Sequence, residues 1–124
     1  MDVTPLISRQ SNVIQAYSAD GFKISGDFYG GNVIVTIDQI VGWTVADFES
    51  LHEDSFSQIL PIKDVLDVIF IGTGKTFRMP SRALRDAWRA QGLRIEPMDT
   101  GAACRTYNVL MADGRRVAAA LLTG

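Results

Sequence analysis

Five consecutive residues, Gly72-Thr73-Gly74-Lys75-Thr76, have the makings of a phosphate cradle: glycines that let backbone N–H groups approach an anion, a lysine, and two hydroxyls. Their spacing departs from both familiar forms. A P-loop needs a glycine five positions before Gly74, where Ile69 stands, and a helix starting at the Lys-Thr pair, whereas Pro80 delays the helix. The dinucleotide fingerprint needs a third glycine where Phe77 stands. What survives is position. The segment from Gly72 to Met79 leaves the carboxyl end of a predicted parallel strand and feeds a helix amino terminus, where open α/β sheets bind ligands. Lys75 and Arg78 add positive charge there.

A second segment, Asp99-Thr100-Gly101-Ala102-Ala103-Cys104-Arg105-Thr106-Tyr107-Asn108, opens a predicted helix after the neighbouring strand, so its start is expected beside Gly72. Asp99 and Thr100 are capping residue types, and Gly101, Ala102 and Ala103 either admit close packing or leave room for a bound group. Cys104 falls near the first turn, where the helix dipole and Arg105 would lower a thiol pKa; the competing reading is a small buried hydrophobe. The alternative to a protein-interaction role is thus a ligand site in a crevice between two segments, suited to a small molecule or an anion and open to an unrecognised enzyme activity. Gly72, Thr73, Gly74 and Lys75 form one side, and Asp99, Thr100, Cys104, Arg105 and Asn108 the other.

Catalytic and metal chemistry find little else. His52 is the one histidine, set in an acidic stretch and read as a surface residue, so a Ser-His-Asp or Cys-His arrangement has no supporting motif. One His and one Cys cannot close a typical structural zinc site. No catalytic residue, metal or cofactor is assigned, and the protein is read as a non-enzyme.

The charge is unevenly spread. Up to Asp64 there are nine acids and three bases, a balance of −6; from Val65 onward five acids and nine bases leave +4. Arg78, Arg82, Arg85, Arg89 and Arg94 make a basic face without the interleaved aromatics that would stack nucleobases. A net charge of −2 also argues against nucleic acid as the partner. Arg82, Arg85 and Arg89, on one helix, are the candidate surface for another protein.

The elements that must position these residues follow from the hydrophobic rhythm. A chain of 124 residues with 47% hydrophobic and 21% charged residues is one domain's worth, and folding hides roughly two thirds of its unfolded surface. Apolar runs such as Val117 to Leu122 are far short of the roughly 20 residues that span a bilayer. No signal-peptide pattern opens the chain, and a single cysteine suits a reducing compartment.

The first half reads as antiparallel strands, at 12–17, 22–24, 28–29, 32–37 and 40–43. The pair Asp20-Gly21 is a turn signal, and Gly30-Gly31 is read as a hairpin between 28–29 and 32–37. Trp43 is read as a core anchor, and 47–54 as a helical turn. The first dozen residues are read as a flexible or edge segment.

The second half changes to strand-helix-strand-helix-strand. It comprises a buried parallel strand at 65–71, a helix at 81–91, a strand at 93–96, a helix at 102–111 and a strand at 116–122. In the first helix Ala83, Leu84, Ala87 and Trp88 form the apolar stripe, with Arg82, Arg85, Asp86 and Arg89 outward. The expected fold is α/β, a three-layer single domain over residues 1–124 with a mixed central sheet.

Several of these segments together resemble a known family. They are Gly26-Asp27-Phe28-Tyr29-Gly30, Trp43, Gly72-Thr73-Gly74, the Pro80 helix entry, Met98-Asp99-Thr100 through Asn108, and Gly114-Arg115-Arg116-Val117-Ala118-Ala119-Ala120-Leu121. The chain is similar, from about Ile14 onward, to a family of small domains of unknown function. That family includes mitochondrial complex I assembly factor 3 and the adipogenesis-associated Mth-type domain protein, besides bacterial and archaeal members. The resemblance implies a three-layer α/β fold with a mixed central sheet, no established catalytic activity, and no cofactor. It implies protein partners, namely subunits or assembly factors of the respiratory NADH dehydrogenase. Without a transit-peptide pattern the chain is read as a bacterial member, cytoplasmic, with peripheral association at the inner membrane.

Overall fold

The computed structural model describes residues 11–124. The expected flexible or edge segment at the amino terminus lies almost wholly outside the described residues. Three short antiparallel strands come first: β1 (Ile14–Tyr17), β2 (Gly21–Ile24) and β3 (Asp27–Gly30), which form a sheet of their own in the order β1-β2-β3. The remaining five strands are β4 (Val33–Thr36), β5 (Ile40–Gly42), β6 (Val68–Gly72), β7 (Ile95–Met98) and β8 (Val117–Leu121). They form a mixed sheet in the order β5-β4-β8-β6-β7, with β4 antiparallel to both β5 and β8, and β6 parallel to both β8 and β7. Helix α1 (Arg82–Ala90) connects β6 to β7, and α2 (Thr100–Ala112) connects β7 to β8.

Alternation along the strands of the large sheet divides the core in two. Val33, Val35, Phe70, Val117, Ala119 and Leu121 point to one face, where α2 and the small sheet cover them with Ala103, Cys104, Tyr107, Phe22 and Ile24. Ile34, Ile69, Ile71, Ala118 and Ala120 point to the other, covered by Trp88 of α1 and by Trp43, Val45, Phe56 and Ile59 from the connection between β5 and β6. The result is the expected three-layer α/β fold with a mixed central sheet. The alanines of β8 keep the middle strand thin, so a helix and an aromatic cluster can both pack closely on it. In that cluster Phe56 stacks edge-on against Trp88 at 5.1 Å and tilted against Trp43 at 5.6 Å. Each indole N–H is satisfied, Trp43 donating to the Ser55 carbonyl and Trp88 to the His52 carbonyl. Trp43 is thus the core anchor its size suggests.

Three expectations need correction. Gly30-Gly31 is no hairpin: β3 pairs with β2 and β4 with β5 and β8, so these glycines carry the chain from one sheet to the other. The hairpin turn is Ser25-Gly26, both with positive φ (48° and 94°), as a tight two-residue turn requires. Val65 lies outside β6, at the end of a 3-10 turn (Leu60–Val65), and is half exposed. On α1, Ala83 is exposed, and Arg85 is partly covered because its Nε donates to the Pro80 carbonyl. The stripe that packs is Leu84, Ala87 and Trp88.

Candidate functional site

The helix starts are built as their residue types suggest. The Ser81 side chain accepts from the Leu84 N–H at the start of α1, and the Asp99 carboxylate accepts from the Ala102 N–H at the start of α2. At the end of α1, Gly92 takes the left-handed conformation (φ 82°), which lets Leu93 N–H return to the Trp88 carbonyl.

The two segments of the expected crevice do meet, at the carboxyl ends of β6 and β7. Between them lies the Thr100 side chain, 1% exposed. Its hydroxyl donates to the Leu122 carbonyl at 2.6 Å and accepts from the Gly74 N–H at 2.9 Å, while Thr100 N–H donates to the Gly74 carbonyl. A Cβ on Gly72 would press on the Thr100 and Leu121 side chains, and one on Gly124 would meet the Lys75 backbone nitrogen. Gly72, Thr73 and Gly74 are buried by these contacts, and Lys75 is exposed. Thr73 is used inside the loop: its hydroxyl accepts from Arg78 N–H and donates to the Thr76 carbonyl.

The rest of the α2 set is also engaged in packing. Asn108 grips β1 by both ends of its amide, accepting from Ile14 N–H at 2.9 Å and donating to the Ile14 carbonyl at 2.8 Å. The ring of Tyr17 occupies the space that a side chain at Gly101 would need, and Arg105 reaches the Tyr17 hydroxyl at 3.5 Å. Cys104 is buried, and burial pushes its thiol up to about 12 despite the opposing pull of Arg105. The lowering expected near the helix start is not realised, since desolvation favours the neutral thiol. His52 stands exposed, its Nδ1 accepting from Asp54 N–H. Among the described residues no group of three or more His, Cys, Asp or Glu side chains could hold a metal ion.

The arginines are arranged differently. On α1, Asp86 lies between Arg82 (3.8 Å) and Arg89 (3.0 Å). Arg85 and Arg89, with Gly92, Leu93, Arg94 and Ile95, line an open cavity of about 520 Å³ between α1 and the outer strand β7. Arg82 is outside its lining. Arg78 leaves this group, stacking on the Phe48 ring at 4.1 Å and pairing with Glu49, whose carboxyl it holds below the ordinary value. The expected face of Arg82, Arg85 and Arg89 therefore continues onto β7 through Arg94. The sequence signal for that extension was the turn at Gly92, which brings β7 back beside the helix.

The pattern of a family described as proteins of unknown function (DUF498/DUF598) matches residues 14–122, nearly all of the described chain. The chain belongs to this family. Among relatives, it is 33% identical over 121 residues to NADH dehydrogenase (ubiquinone) 1 alpha subcomplex assembly factor 3 of Bos taurus. The match covers 94% of this chain but only 65% of the relative's length. A solved structure of a Bartonella henselae protein, described as an outer membrane protein, superposes with a TM-score of 0.80 at 32% identity, covering 93% of this chain and 97% of that one. A Mth938-like domain of Bordetella pertussis shares the fold at a TM-score of 0.76 and 23% identity, over 98% of this chain and 90% of that one. The DUF498/DUF598 fold in this chain has no helix, among the described residues, long and apolar enough to cross a membrane.

Proposed function

We propose that the protein is a non-catalytic interaction factor that assists assembly of the respiratory NADH dehydrogenase. The observation behind this is the similarity, over 94% of the chain, to a protein named as an assembly factor for that enzyme. The partners in this reading are subunits or other assembly factors, met by the face of Arg82, Arg85 and Arg89 in the cytoplasm, at the inner-membrane surface. Support for that face comes from its exposure: Trp88 and Leu84 commit the opposite side of α1 to the core, which leaves Arg82 and Arg89 toward solvent with Arg85 partly covered between them. The competing reading, a small molecule or anion between Gly72–Lys75 and Thr100–Asn108, gains no support from the geometry, because Thr100 and the chain at 122–124 fill that space.

Mild crosslinking in the source cells, followed by capture of the tagged chain and mass spectrometry, tests the reading. Enrichment of NADH dehydrogenase subunits is expected with the wild-type chain, and its loss when Arg82, Arg85 and Arg89 are all replaced by Glu. Equal capture by the folded triple variant removes this face from the proposal. Absence of respiratory subunits removes the assembly role.

A further inference from the structure

Among the described residues the large sheet ends at β7, which pairs with β6 alone. Ile69 N–H donates to the Arg94 carbonyl and Thr73 N–H to the Met98 carbonyl, so Arg94, Glu96 and Met98 turn their backbone groups inward to β6. By the alternation of a parallel ladder, Ile95 and Pro97 turn theirs outward. Proline has no N–H, so the outer edge offers one backbone donor, at Ile95, with carbonyl acceptors at Ile95 and Pro97. Pro97 therefore blocks full-length pairing with another strand but leaves the half before it open.

The arginine cavity adjoins that open half. It is lined by Arg85, Arg89, Arg94 and Ile95, besides the Gly92-Leu93 turn. Its charge is only partly neutralised: Asp86 is shared by Arg82 and Arg89, and Arg85 spends one N–H on the Pro80 carbonyl. The Arg94 side chain has no ion pair or hydrogen bond among the described residues. A smaller cavity that shares Gly92, Leu93 and Arg94 is lined besides by Lys63, Asp64 and Asp67, so its two bases are balanced by two acids and the positive excess lies on the α1 side.

We infer that β7 and the arginine cavity form one docking groove for an extended acidic segment of a partner polypeptide. The segment adds beside β7 by exchanging backbone hydrogen bonds with Ile95, and its carboxylates face Arg85, Arg89 and Arg94. The inference rests on the interaction reading above and names the chemistry of the partner. Opposite charge selects acidic segments, and Pro97 limits pairing to a short register, which guards the edge against copies of itself.

The probe is an octapeptide of alternating Glu and Thr, titrated into the isotope-labelled full chain and followed by amide NMR, with a Lys/Thr octapeptide as control. Shifts are expected at Leu93 to Glu96, with slowed hydrogen exchange at the Ile95 N–H. The lysine peptide is expected to bind at least about tenfold more weakly, as opposite-charge steering implies. Arg94→Glu, on an exposed side chain, is expected to weaken the acidic peptide to a similar degree; Arg85→Glu with Arg89→Glu checks the cavity from the helix side. Shifts that map elsewhere, equal binding of the two peptides, or no response at millimolar peptide overturns the groove. If that happens while crosslinked capture still depends on the α1 arginines, the interaction reading stands without strand addition. If the peptide binds at Ile95 but no respiratory subunit is captured, the groove stands and the assembly role falls.

Discussion

Thr100 joins three parts of the chain through one hydroxyl: its own helix start, the Gly74 N–H and the Leu122 carbonyl. Thr100→Val keeps the shape and removes both bonds, leaving a buried donor and acceptor unpaired, so a loss of about 1–3 kcal/mol is expected in urea unfolding. Thr100→Ser retains the hydroxyl and should recover most of it. Cys104 makes a second prediction at this scale. Its thiol pKa in the folded protein, about 12, lies above the ordinary value of 9.0, so between the two the unfolded chain gives up a proton that the folded chain keeps. Stability from this group is complete below pH 9, declines as pH rises, and is lost through about 12. Burial raises the Tyr107 hydroxyl in the same sense. Cys104→Ala should therefore flatten, without abolishing, the alkaline fall in stability, and iodoacetamide should alkylate the folded wild-type thiol far more slowly than the unfolded one. Capping residues were legible in the sequence because Ser and Asp act on N–H groups two or three positions away. The occupation of the crevice was not, since the Leu122 carbonyl lies just past the end of β8, 22 residues on.

Among the elements, the strand-helix-strand-helix-strand half was readable because apolar runs, Ser81 and Gly92 mark it locally. The first half misled at Gly30-Gly31, where a turn-forming pair connects two sheets instead of two paired strands. Nothing local distinguishes those cases; the choice depends on Phe22 and Ile24 packing under α2 while Val33 and Val35 join β8. Close packing of β6 on α2 gives the third prediction. Gly72→Ala places a Cβ 2.9 Å from the Thr100 hydroxyl oxygen and 3.0 Å from Leu121, and overpacking of this kind costs about 1–3 kcal/mol. Calorimetry should show a lowered Tm. Trp88→Ala, in the aromatic cluster beside Phe56 and fully buried, is expected to cost more, about 3–5 kcal/mol.

At the scale of the whole molecule, the two cores commit both faces of the large sheet to packing, while the charged side of α1 and the edges at β5 and β7 remain outward. In the proposed interaction role, the protein's location should follow its partner. Fractionation of source cells is expected to place it with the cytoplasm and, in part, with salt-washable inner membrane; recovery with the outer membrane, as the description of the Bartonella henselae relative suggests for that protein, would contradict the proposed location. The most direct measurement removes the chain from its source cells and reads assembled NADH dehydrogenase on native gels. The expected result is loss of assembled enzyme, restored by the wild-type chain and not by a folded chain carrying Arg82→Glu, Arg85→Glu and Arg89→Glu. Normal amounts of assembled enzyme without the protein would contradict the assembly role.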